Sequence, residues 1–186
     1  MTAVLHGFTV GVTADRRSDE QISLFERRGA SVLHGPVIRT LPLGDDDELR
    51  AATEAVIARP PELVVANTGI GMRSWFAAAE AWGLGDELAA ALARGRVYAR
   101  GPKAAGACHA AGLEVAGRAA SEQLVDCIDL VAAELRPGMR VVVQRDGGGP
   151  PPAGGRLRAA RPEGLGGPLC PWRPVEDVRP ALPLAA

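Results

Sequence analysis

Four short stretches of this sequence place groups capable of holding a ligand: Thr13-Ala14-Asp15-Arg16, Asn67-Thr68-Gly69-Ile70-Gly71, Gly101-Pro102-Lys103, and Ser121. Three of them precede expected helix starts. A helix start offers backbone N–H groups outside the helical ladder and a partial positive charge, so it favours phosphate or carboxylate. The Gly69-Ile70-Gly71 spacing is not GxGxxG, and no acid stands about 20 residues on to take a ribose, so this turn also reads as a plain tight strand-to-helix connection. Lys103 falls in a first helical turn, the wrong end for dipole stabilisation, which invites an anion; a solvated surface lysine fits the same position. Arg16, Arg17 and Arg100 fall at strand ends, where they could grip carboxylates in bidentate fashion, although exposed arginines are common. His6, His34 and His109 have no partner at ligand or triad spacing, and Cys108, Cys127 and Cys170 form no metal or redox motif, so a metal centre and nucleophilic catalysis have no support.

The composition limits the partners. With 21 basic and 22 acidic side chains the net charge is -1, which leaves no electrostatic footprint for nucleic acid or an anionic membrane. The opening MTAVLHGFTVGVT has no basic start or cleavage pattern, and no segment reaches the ~18 apolar residues of a membrane span, so the expected location is cytoplasmic, with reduced thiols. The 186 residues fit one ordinary domain or two small ones. Apolar residues make up 47% but aromatics only 4%, so the core must rest on Ala, Val and Leu.

The elements that would position these turns alternate between strand and helix. Residues 8–13 read as a strand, 18–28 as a helix ended by Gly29, and 31–38 as a second strand, giving a parallel βαβ opening. Pro42, Gly44 and the acidic run 45–47 break the pattern and mark a domain boundary. A helix over 48–59, a strand over 63–66, helices over 72–82 and 86–93, a strand over 96–99 and a helix ending at Gly112 follow. Ser121 then caps a helix running to Leu135, and residues 139–144 form a further strand. This rhythm predicts an α/β fold with a doubly wound parallel sheet. Trp75, Phe76 and Trp82 lie on one amphipathic helix and suit core or interdomain packing. Residues 147–152 and 161–168 are rich in Gly and Pro, which predicts poor order or loose docking, and residues 172–186 contain no completed element.

Taken in order, VLHGPVIRTLPL, LVVANTGIGMRSWFAAAEAWGL, RVYARGPKAAGACHAAGLEV and ASEQLVDCIDLVAAELRPGMRVVVQRDGG resemble the uroporphyrinogen-III synthase family, especially its actinobacterial-type members. The resemblance implies two flavodoxin-like domains joined by a two-stranded linker, with a substrate cleft between them. Residues 1–40 would be the first part of domain 1, residues 41–170 the inserted domain 2, and residues 171–186 the linker returning to a domain 1 whose remainder this chain lacks. The implied reaction cyclises the linear tetrapyrrole hydroxymethylbilane, with loss of water and inversion of the last pyrrole ring, using no metal or organic cofactor. The turns then become carboxylate holders: Thr13 and Arg16 in the first, Asn67, Thr68 and Gly69 in the second, Gly101 and Lys103 in the third, with Ser121 as a helix-start hydroxyl.

Two departures from the family pattern bear on activity. Cys170 stands where the resemblance implies a cleft-facing tyrosine that assists loss of the hydroxyl group, and a thiol cannot replace a phenol there. The implied missing half-domain would leave the opening βαβ unit with an open edge. The expectation is a synthase homologue, weak or inactive as this chain. The alternatives are a non-catalytic tetrapyrrole-binding or regulatory module and, from the Asn67–Gly71 turn alone, a flavodoxin-like nucleotide enzyme.

Overall fold

A computed structural model of the chain describes residues 3–40, 46–145, 163–165 and 172–174, with 38–40 and the last two stretches described by their backbone. The chain divides into two compact units, Met1–Leu41 with Pro171–Ala186, and Pro42–Cys170.

In the first unit, β1 (Thr9–Val12) leads through α1 (Ser18–Glu26) to β2 (Ser31–His34), and the two strands pair in parallel with Thr9 opposite Ser31. Gly29 follows the helix at φ +90, a left-handed conformation that glycine adopts without a Cβ penalty. The strand expected over 31–38 is two strands. Gly35 N still bonds to Val12 O at 3.0 Å, but Pro36 has no N–H to continue the ladder, and β3 (Ile38–Thr40) starts afresh beyond it.

In the second unit, α2 (Asp47–Ala58) is capped by Asp46, whose carboxylate accepts from Leu49 N at 2.9 Å. Then come β4 (Leu63–Ala66), α3 (Gly69–Ala81), α4 (Gly85–Ala93), β5 (Arg96–Ala99), α5 (Pro102–Ala110), β6 (Val115–Arg118), α6 (Leu124–Ala132), β7 (Arg140–Val143) and β8 (Glu163–Leu165). The sheet order is β6-β5-β4-β7-β8, parallel throughout. Strand β9 (Trp172–Pro174) returns to the first unit and pairs antiparallel with β3.

The strands of the second unit bury both faces, which is why Leu63-Val64-Val65-Ala66 is a continuous apolar run. On one face Val64, Ala66, Val97 and Ala99 pack against α2 to α5 through Leu49, Met72, Leu88 and Ala104. On the other, Leu63, Val65, Tyr98 and Val141 meet Cys127, Ile128 and Val131 of α6. Trp75 is buried and its Nε1–H donates to Thr53 Oγ1 at 2.8 Å, so the largest side chain of the core keeps its one polar group paired. Phe76 and Trp82 pack on the margin of the same core.

Three further expectations are corrected. The sequence reading has no strand at Val115–Arg118, because Ala116 and Gly117 carry little β propensity. That strand forms with a register shift opposite Val97 and Tyr98, and a Cβ on Gly117 would stand only 3.0 Å from the Tyr98 ring. Residues 163–165 pair through their backbone with Arg140–Val142, since the open edge of β7 offers partners to any backbone, and the rest of 161–168 lies outside the described residues. Residues 172–174 complete a strand whose partner lies more than a hundred positions earlier, invisible to local patterns. Helix α6 begins at Leu124 and ends at Ala132, not at Ser121 and Leu135. The 147–152 cluster lies outside the described residues.

Burial pushes the thiols of Cys108 and Cys127 up from 9.0 to about 11, in the latter case against a small opposing effect of Arg100. The unfolded chain therefore loses these protons first as pH rises. Their contribution to stability is complete below pH 9 and disappears as pH climbs through 11. Chemical denaturation should show unfolding free energy falling across that window, with a shallower fall below pH 10 in the Cys108→Ala/Cys127→Ala variant.

Packing at the start of α3 yields a second expectation. A Cβ on Gly69 would stand 2.2 Å from the Lys103 carbonyl oxygen, whereas one on Gly106 meets nothing within 4 Å. Gly69→Ala should cost about 1–3 kcal/mol by overpacking. Gly106→Ala, inside a helix and in open space, should gain about 0.5–1 kcal/mol. Urea denaturation of the two variants checks both signs.

Candidate functional site

Strand β4 ends against a wall of buried side chains, and the chain leaves the sheet through Asn67 and Thr68 in extended backbone. Thr68 Oγ1 accepts from Gly71 N at 3.0 Å, and Thr68 O accepts the first helical bond, from Met72 N at 3.0 Å. The threonine is therefore the N-cap of α3, and the N–H groups of Gly69 and Ile70 remain outside the helical ladder. The sequence reading starts this helix at Met72, because two glycines in the first turn mask its true beginning at Gly69.

Next to it, β5 ends at Ala99 and α5 starts after Gly101, with Pro102 in the first helical position. Ala105 N closes the first turn onto Gly101 O at 3.0 Å, leaving the N–H groups of Lys103 and Ala104 outside the ladder. The missing side chain of Gly69 lets the start of α3 come against the Lys103 carbonyl, which sets the two helix starts side by side. Neither first turn contains an acidic residue.

A buried polar network stands behind this pair. Gln144, at the end of β7 and fully buried, presents Oε1 to the backbone N–H of Asn67 at 3.1 Å and of Thr68 at 2.7 Å. Its Nε2 donates to Arg145 O at 2.7 Å. Asn67, 1% exposed, accepts through Oδ1 from Arg100 Nη1 at 2.9 Å. Asn67 Nδ2 is buried and has no hydrogen-bond partner among the described residues, which leaves an orphan donor at the base of the site.

Of the residues expected from sequence, Asn67, Thr68, Gly69, Gly101 and Lys103 therefore gather at the carboxyl edge of one sheet, with the Lys103 side chain exposed. Ser121 adjoins them through its neighbour Glu122. That residue has φ 59, and its carboxylate comes within 3.1 Å of where a Gly101 Cβ would stand. Ser121 is not a helix cap. Its hydroxyl accepts from Gln123 N at 3.1 Å and donates to the Asp126 carboxylate, while Gln123 takes the N-cap position. Thr13 and Arg16 are exposed residues of the other compact unit, where they follow β1. There Arg17, not Arg16, pairs with Glu20, at 2.5 Å, and holds a left-handed backbone at φ 58. Cys170 lies outside the described residues.

Gln144 is the residue that sequence reasoning missed as part of the site. Its only sequence signal is an uncharged polar side chain closing the apolar run Val141-Val142-Val143. Among the described residues no group of His, Cys, Asp and Glu could hold a metal ion, and no helix is long and apolar enough to cross a membrane. The chain's one tyrosine, Tyr98, is buried and donates its hydroxyl to Glu134, which also pairs with Arg96. Burial and Glu134 together push its phenol up to about 12.

Comparisons with known proteins agree on one family. Residues 19–159 match the family model described as uroporphyrinogen-III synthase HemD. Among solved structures, a mutant uroporphyrinogen III synthase from the extremely thermophilic bacterium Thermus thermophilus is 28% identical with a TM-score of 0.68, covering 96% of this chain and 67% of that one. The wild-type enzyme of the same bacterium in a second crystal form is 28% identical with a TM-score of 0.61, covering 96% and 66%. Another Thermus thermophilus uroporphyrinogen III synthase structure is also 28% identical, with a TM-score of 0.54 and coverages of 96% and 67%. The chain thus spans about two thirds of the length of these structures. Comparison with curated protein sequences finds no match. With the family model covering most of the chain and the α/β fold shared with solved relatives, this protein belongs to the uroporphyrinogen-III synthase HemD family.

Proposed function

We propose that this chain binds hydroxymethylbilane in the cytoplasm and is a hydro-lyase homologue, weak or inactive as this chain, of the type that cyclises the linear tetrapyrrole to uroporphyrinogen III with loss of water and inversion of ring D. The observation that carries this reading is the pairing of two helix starts at Gly69 and Lys103, free of acidic residues in either first turn. The backbone N–H groups of Gly69, Ile70, Lys103 and Ala104 lie outside the helical ladders at these two starts. The partial positive charge of each helix start and the exposed Lys103 ammonium add positive potential, opposed by the Glu122 carboxylate beside Gly101. A polycarboxylate suits this arrangement better than a single phosphate does, because its acids are spread over several rings and can engage separate turns. Thr13, Arg16 and Ser121 would take further acetate or propionate groups.

Under this reading the chemistry is one of placement. The terminal hydroxyl leaves from the substrate, and the ring-closing carbon must be held within bonding reach before the symmetric isomer forms. The reading also takes residues 41–170 as the inserted flavodoxin-like domain, with 1–40 and 171–186 belonging to the other and β3 with β9 as the linker.

Binding without turnover is a second reading, and one observation favours it. The sole tyrosine is committed to Glu134, and a cysteine, Cys170, stands where the family resemblance puts a phenol. A coupled assay with freshly generated hydroxymethylbilane separates the two. Isomer III above the enzyme-free background supports turnover, and isomer I alone with saturable tetrapyrrole binding supports the second reading. Isomer I with no binding overturns both. Lys103→Ala should weaken binding about fivefold, the loss of one exposed charge contact of about 1 kcal/mol.

A further inference from the structure

In the first unit, β1 ends at Val12 opposite His34, the last residue of β2, and the turn over residues 13–17 is fastened by its carbonyls. Gly35 N donates to Val12 O at 3.0 Å. The exposed His34 ring reaches across the strand end and places Nε2 2.9 Å from Ala14 O, and Ser18 Oγ donates to Asp15 O at 3.0 Å. A carbonyl oxygen only accepts, so Nε2 carries the hydrogen, as it does in the imidazolium and in one of the two neutral tautomers. These peptides are trans and planar, so each N–H points opposite to the carbonyl before it. With Ala14 O held by His34 and Asp15 O by Ser18, the N–H groups of Asp15 and Arg16 are turned away from those two donors. The Arg16 N–H has no hydrogen-bond partner among the described residues, and Thr13 and Arg16 are exposed on the same turn. An open backbone N–H beside a guanidinium suits a carboxylate.

We propose that His34 is a positioning residue for carboxylate binding: its Nε2–H holds the Ala14 carbonyl so that the β1–α1 turn presents the Arg16 N–H, with Thr13 and Arg16, to a substrate acid. The sequence gives this histidine no partner at ligand or triad spacing, and the structure gives it a backbone carbonyl 20 positions earlier. Without the ring, Ala14 O would bond to water and the peptide between Ala14 and Asp15 would be free to rotate, taking the N–H that follows with it. The inference rests on the tetrapyrrole reading of Thr13 and Arg16 and adds to it a residue of the neighbouring strand.

The test combines two readouts on the full chain and on the variants His34→Val and His34→Gln. Valine keeps strand propensity but has no donor, whereas the glutamine amide carries an N–H at a similar reach. At alkaline pH, where an imidazole is neutral, the ring nitrogen chemical shifts of His34 should place the hydrogen on Nε2. A hydrogen on Nδ1 would overturn the proposal. Titration with uroporphyrin, an air-stable tetrapyrrole polycarboxylate, should shift the amide resonances of Thr13 and Arg16 saturably in the wild-type protein. His34→Val should bind it about threefold to tenfold more weakly, the loss of one hydrogen bond, and His34→Gln should recover to within about twofold of wild type. Undiminished affinity in His34→Val, or an equal loss in His34→Gln, would overturn the proposal and leave the tetrapyrrole reading standing. A wild-type protein that binds no uroporphyrin would overturn both. Should His34→Val fail to fold, His34→Thr, whose side chain is too short to reach Ala14 O, carries the same criterion.

Discussion

One side-chain oxygen holds the strand-end site of this protein together. Gln144 Oε1 accepts from the backbone of Asn67 and Thr68, and it does so where water is excluded. A hydrogen bond in such surroundings contributes more than its exposed counterpart, and its loss would strand the buried Asn67 N–H at a cost of about 1–3 kcal/mol, and the half-buried Thr68 N–H at less. With the backbone of Asn67 and Thr68 held, the threonine hydroxyl faces Gly71 N and caps α3, and the asparagine carbonyl faces Arg100. The cap, the arginine contact and the direction of the helix start all depend on that single acceptor.

The second constraint is steric. Three glycines of the two strand-end turns do different work. Gly69 admits the Lys103 carbonyl, Gly71 admits the Gln144 amide, and Gly101 lies against the Glu122 carboxylate. None of these three needs a positive φ. Each is small because another part of the chain occupies the space a side chain would need. The turn Asn67-Thr68-Gly69-Ile70-Gly71 resembles a dinucleotide loop for this reason, yet its glycines make room for the protein itself.

The polar groups of the two faces are handled differently. On the α2 to α5 face, Trp75 and Thr53 pair with each other, and Thr53 Oγ1 donates to Leu49 O at 2.7 Å, closing the network. On the α6 face, Tyr98 reaches the margin of the core and bonds to Glu134, with Arg96 stacked 5.7 Å from its ring centre. That removes the one phenol of the chain from any part in chemistry at the opposite, carboxyl edge of the sheet. Both thiols of the described core are buried and kept protonated, so they act as small apolar side chains.

The sequence by itself determined the alternation of strands and helices and the positions of the strand-end turns, because each rests on short-range chemistry. The apolar run 63–66, the acidic cap at Asp46 and the glycine stop at Gly29 are local signals, and the quoted motifs sufficed to suggest the family. Tertiary structure alone decided the strands at 115–118, 163–165 and 172–174, since each is held by a partner edge rather than by its own propensity. It also decided that Asn67, Gly69 and Lys103 meet at one sheet edge and that Gln144 bonds to the backbone of Asn67 and Thr68 there. The partners Asn67 and Gln144 lie 77 positions apart, and no local pattern in a sequence records which side chain will reach the end of a neighbouring strand.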